Sequence, residues 1–114
     1  MNRQYRSYGN NLLGFTHGDG LSRGTSMGML MATEAKEEWG TASNHMWFHG
    51  HLHHQRMTEK DGVLIFQMPS LAGHDRYHYR SGYTTSRAGL AAYIIDKDEG
   101  YVGCFFAPVN GGHE

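Results

Sequence analysis

A chain of 114 residues, 39% hydrophobic and 12% aromatic, is long enough for about one domain with a modest core. Ten basic against eleven acidic side chains leave a formal net charge of −1, which removes any bulk-charge argument for a nucleic-acid or membrane partner. The single cysteine excludes an internal disulfide, no apolar run approaches the roughly 20 residues of a membrane span, and the opening MNRQYRSYGNN lacks the apolar stretch of a signal peptide, so a cytoplasmic location is expected.

Residues 1–10 are polar and read as a loosely packed start. LLGFTH, 12–17, is a short apolar run that predicts a buried strand ending at a histidine. GDGLSRGTS, 18–26, is loop. From Met27 the pattern changes: Met27, Leu30, Met31, Ala35 and Trp39 follow a period near 3.6, which predicts one amphipathic helix over 27–39, capped by Thr25 or Ser26 and ended by Gly40. HMWFHG, 45–50, and VLIFQM, 63–68, predict two further strands, the second after the turn-like EKDG. LAAYIID, 90–96, and YVGCFFA, 101–107, predict a hairpin closed by Lys97 to Gly100, with Cys104 as a small core residue. The stretch 69–89, PSLAGHDRYHYRSGYTTSRAG, reads as a long loop of the kind that carries function.

The nine histidines are unevenly spread, and WFHGHLHHQ, 47–55, holds four of them. His51 and His53 are two apart, so in an extended segment both imidazoles point to one side while Leu52 points to the other. His17 closes the preceding strand in the same way. A helix between two strands predicts a parallel pair, with both C-terminal ends on one edge of a sheet. His17, His51 and His53 are therefore expected to converge there, and neutral imidazoles gathered in one place have a clear use as metal ligands. His49 and His54 flank this trio as supporting candidates. His74, Asp75 and His78 lie in the long loop, where they are candidates for substrate contact; Arg76, Arg80 and Arg87 read as solvated surface.

FTHGD at 15–19, followed by a helix, a strand and GHLHH at 50–54, resembles the C-terminal half of the calcineurin-like metallophosphoesterases, the phage-encoded members in particular. The similarity runs over roughly residues 9 to 106. It implies an α/β fold: the C-terminal portion of an αββα sandwich, strand–helix–strand followed by mostly β segments. It also implies a hydrolase acting on a phosphate mono- or diester, free or within a nucleotide or nucleic acid, in the host cytoplasm if the gene is a phage's. Two divalent ions, Mn, Fe or Zn, would form the centre, with His17 and His51 helping to hold one and His53 the other. The Asp-x-His, Gly-Asp and Gly-Asn-His motifs of that family's N-terminal half have no counterpart here. Residues 1–114 are accordingly expected to be either a single domain or a C-terminal fragment, with an N-terminal half or a second copy completing it. Three imidazoles without a bridging carboxylate are expected to bind metal weakly and to hydrolyse esters poorly.

Two rival readings differ in class. A metal-binding or assembly module would keep the histidines without hydrolysis. A cupin-like site would pair His51 and His53 with Glu59, but that spacing is too long, and the helix fits it badly.

Overall fold

A computed structural model of the protein describes residues 3–17, 26–50, 56–68 and 89–108. The chain order is β1 (Gln4–Tyr8), β2 (Asn11–Thr16), α1 (Met27–Glu34), α2 (Lys36–Thr41), β3 (Asn44–His49), β4 (Arg56–Lys60), β5 (Val63–Gln67), β6 (Gly89–Asp96) and β7 (Gly100–Pro108). Five strands form one mixed sheet in the order β1-β2-β3-β5-β4; β6 and β7 form a separate antiparallel pair. β2, β3 and β5 are mutually parallel, and the two edge strands run antiparallel to them.

This architecture corrects the expected αββα sandwich. Strand accounts for 60% of the described residues and helix for 19%. The helical part is short because the expected 27–39 helix breaks at Ala35, whose φ of −117° and ψ of 57° lie outside the helical region. Gly40 does not end it; α2 runs on to Thr41. Ser26 does cap α1, its hydroxyl accepting from the Met29 N–H at 3.0 Å. Among the described residues no helix is long and apolar enough to cross a membrane.

Strand alternation gives the five-stranded sheet two unlike faces. On one face Leu12, Trp47 and Val63 pack against Met31 and Ala35 of the helical segment, with Tyr5 and Ile65 alongside. On the other, Phe15 and Phe48 stack with ring centroids 5.4 Å apart, and Phe48 and Phe66 stack at 4.9 Å. The β6–β7 hairpin covers this second face: Tyr93 lies edge-on to Phe48, and Tyr101 contacts Phe66. The layers are therefore helices, sheet and hairpin.

Two polar devices hold the layers in place. Asn11, fully buried, puts Nδ2 within 2.9 Å of the Tyr8 and Asp96 carbonyls and 3.1 Å of Lys97 O, while its Oδ1 accepts from Asn44 Nδ2 at 3.0 Å. This ties the hairpin turn to the sheet. Gly9 belongs to the same contact: at φ +58° it passes so close to Lys97 that a Cβ would lie 2.3 Å from the Lys97 carbonyl oxygen.

The second device joins β1 to α1. Arg3 donates to both carboxylate oxygens of Glu34, at 2.8 Å from Nε and 2.5 Å from Nη2, and the Tyr5 hydroxyl donates to the same carboxylate. The Arg3 hydrogen bonds hold Glu34 below the usual carboxylate range; burial and the neighbouring carboxylate push the Tyr5 phenol up. A depressed carboxylate stabilises the fold above its ordinary pKa and loses that contribution as pH falls through the folded value. The melting temperature of the wild type should thus exceed that of Glu34→Gln at pH 7, with the gap narrowing toward about pH 2. A gap that stays constant across that range would show that the ionised carboxylate contributes nothing.

Candidate metal centre

Both ends of the histidine segment are fixed by register. His49, the last residue of β3, pairs with Thr16 of β2 on one side and Gln67 of β5 on the other. Arg56, the first residue of β4, also pairs with Gln67. The chain therefore leaves β3 and re-enters β4 at the same edge of the sheet, one on each side of Gln67, and residues 51–55 join these two points. His17 follows Thr16 directly, so β2 delivers it to that edge as well. The parallel pairing that the sequence predicts between the strands before and after the helix is present, from Asn11↔Asn44 to Thr16↔His49.

The third parallel strand adds to the same end. The Met68 N–H donates to the His49 carbonyl at 2.8 Å, carrying the β3–β5 contact one residue past Gln67. Seven of the nine histidines (His17, His49, His51, His53, His54, His74 and His78) lie at or beyond the C-terminal ends of β2, β3 and β5 along the chain. Of these, His17 and His49 are described. His51, His53, His54, His74, Asp75 and His78 lie outside the described residues, as do Arg76, Arg80 and Arg87.

His49 is half-buried, and its Nδ1 donates to the Gly50 carbonyl at 3.2 Å. A carbonyl only accepts, so Nδ1 is the donor in this contact. His17 is exposed at the end of its strand. His45 has a structural job. It stacks on Trp39 with centroids 3.9 Å apart and donates from Nε2 to the Trp39 carbonyl at 3.0 Å.

Among the described residues, no group of three or more His, Cys, Asp and Glu side chains is placed to hold a metal ion. Glu34 is the described carboxylate that contacts this end of the sheet, and Arg3 and Tyr5 occupy it. The donor set that the described residues bring to the edge is thus imidazole, suited to a borderline ion such as Zn²⁺, without a bridging carboxylate for a pair of ions.

The helix adds no anion site here. In an open parallel sheet the helix after the first strand commonly begins at the C-terminal edge, aiming its N–H groups at a ligand. Here α1 begins at the opposite edge. Ser26 donates to the Asp61 carboxylate at 2.9 Å in the β4–β5 turn, and Gly28 lies against the Asp61 carbonyl. Two clefts in the described region are also remote: one of about 210 Å³ lies among His45, Glu59, Glu99 and Tyr101, and one of about 250 Å³ among Ser7, Asn11, Glu38 and Thr41.

Sequence reasoning passed over Thr16, Gln67 and Arg56. The first two are polar and more than nine-tenths buried, at 8% and 7% exposure, which is unusual for residues ending apolar strands. Their only sequence signal is a polar residue closing a hydrophobic run. No family model matches the chain, and comparisons with curated proteins and with solved structures likewise find no match.

Proposed function

We propose that this chain supplies the imidazole ligands of a metal-dependent centre that hydrolyses phosphate esters. The observation that supports this reading most directly is the register Thr16↔His49↔Gln67↔Arg56, which brings the end of β2 and both ends of the histidine segment to one sheet edge. His17, His51 and His53 would hold metal, with His49 beside them in a supporting role. A divalent ion held there would polarise a phosphoryl oxygen and lower the pKa of a bound water. The chain's own part is to bring imidazole-bearing segments to one edge of the sheet.

One observation favours a second reading, a metal-binding module without hydrolysis. The Glu34 carboxylate is committed to Arg3 and Tyr5, so the described edge offers no bridging ligand for a second ion. Calorimetric titration with Zn²⁺ and Mn²⁺, paired with hydrolysis of bis-p-nitrophenyl phosphate, separates the two. Loss of an outer partner of a metal ligand costs about 10–100-fold in affinity, so His51→Ala and His53→Ala are each expected to cost at least about tenfold. Binding should weaken below about pH 6 as protons compete for the imidazoles. Hydrolysis that a chelator abolishes and Mn²⁺ restores supports the enzyme; metal binding without turnover supports the module. Zn²⁺ affinity unchanged in a His51→Ala/His53→Ala double variant would remove both.

A further inference from the structure

We infer that the β1–β2 flank of the sheet binds single-stranded nucleic acid; this names a substrate class for the centre proposed above and rests on that reading for the link to hydrolysis. Antiparallel pairing sets Gln4 beside Phe15, Arg6 beside Leu13 and Tyr8 beside Asn11, so these side chains share one face. It is the face that carries the hairpin, because Phe15 stacks on Phe48 and Leu13 packs against the cluster of Met46, Phe48 and Phe66. The hairpin's own rings sit farther across the sheet: Tyr93 meets Phe48 and Phe66, and Tyr101 meets Phe66. The flank is open beside them. Tyr8 is 46% exposed and Phe15 37%, and Gln4 and Arg6 are exposed with them.

The order of groups on this strip is ring, cation, ring. Tyr8 and Phe15 stand four residue steps and one strand spacing apart, about 14 Å, and Arg6 lies between them. An exposed ring stacks on a base of any sequence, and a guanidinium between two rings meets the phosphates that join the bases. Lys97 extends the charge beyond Tyr8, since its aliphatic stem lies against Gly9 and its side chain is exposed. Among the described residues neither Arg6 nor Lys97 forms an ion pair, and none of the residues on the strip is a carboxylate. The surface is therefore complementary to a polyanion with flat, apolar bases. At its other end the strip stops at Phe15, two residues before His17, so a strand laid along it runs to the edge proposed for the metal. With only two cations in play, log affinity should fall against log salt with a slope of about −1.4.

The test is fluorescence anisotropy of a labelled thymidine homo-oligomer of about 12 nucleotides, on the full chain with metal chelated. The wild type should bind it at least about tenfold more tightly than a duplex of the same length, whose bases are not free to stack. Tyr8→Leu and Phe15→Leu keep apolar volume but lose the ring, and each should weaken binding at least about fivefold, while Tyr8→Phe retains it. Arg6→Gln should make the salt slope shallower by about 0.7. Phe105→Leu, at an exposed ring of β7, and Lys60→Gln, at an exposed cation of β4, should leave binding unchanged. Ring variants that melt and bind like the wild type would overturn the inference, as would equal losses from Phe105→Leu or equal affinity for the duplex. Oligomer binding without Zn²⁺ binding would bring down the metal-centre reading alone; Zn²⁺ binding without oligomer binding would bring down this inference alone.

Discussion

Replacing Trp47 with alanine is expected to lower stability by about 4–6 kcal/mol, the largest loss from any single substitution considered. Trp47 is fully buried at the middle of the central strand. Its ring lies edge-on to Tyr5 at 5.3 Å and touches the space where Gly14 has no side chain, and its Nε1 donates to the Met27 carbonyl at 2.8 Å. Truncating a buried tryptophan typically costs about 3–5 kcal/mol, and the lost hydrogen bond adds about 1 kcal/mol. Domains of this size have about 5–15 kcal/mol in total, so the variant should be near or past its unfolding midpoint at modest urea. Urea titration followed by circular dichroism reads this directly. A loss below about 2 kcal/mol would mean that the helices and sheet close over the gap, and that the packing around Trp47 is looser than its burial indicates.

Asn11 offers the second large effect. One buried amide group serves three carbonyls and Asn44, so Asn11→Ala removes all four of these hydrogen bonds at once, although the Asn10 N–H still donates to the Lys97 carbonyl. A loss of about 2–4 kcal/mol is expected, or about 10–20 °C in melting temperature. Asn11→Asp is the sharper test, because it keeps the shape. At pH 7 it replaces a donor by a carboxylate facing carbonyl oxygens, and should be at least as damaging as alanine. If Asn11→Asp melted like the wild type at neutral pH, the amide would not be the donor that ties the hairpin down.

The apolar runs that became β2, β3 and β5 were legible because their burial is written as consecutive hydrophobic residues, and the β6–β7 hairpin was legible from its turn. β1 and β4 were not. QYRSY and RMTEK are edge strands whose side chains are mostly exposed, so neither alternates between apolar and polar. Missing β4 hid the most informative relation at the candidate centre. The sequence places Arg56 seven residues after His49, but only the strand order puts Gln67 between them. The helix was legible as an amphipathic stretch, yet not its break at Ala35, since alanine is the residue least expected to stop a helix. The parallel β2–β3 pair followed from connectivity alone. The direction from which α1 approaches did not, because the Ser26–Asp61 contact joins segments thirty-five residues apart.

The Asn11 contact with the hairpin has a consequence for synthesis. It closes an interval of 85 residues, and the strands that cover the Phe15–Phe48–Phe66 face are made after every other described element. A ribosome adding about 5–20 residues each second needs about 2–8 s to go from β5 to the end of β7. Through that interval the stack of three aromatic rings lacks the β6–β7 hairpin, and among the described elements polar edge strands flank it on either side. For this protein the hazardous moment is a pause in translation between β5 and β6, when the sheet can already form and the hairpin that covers it has not yet been made.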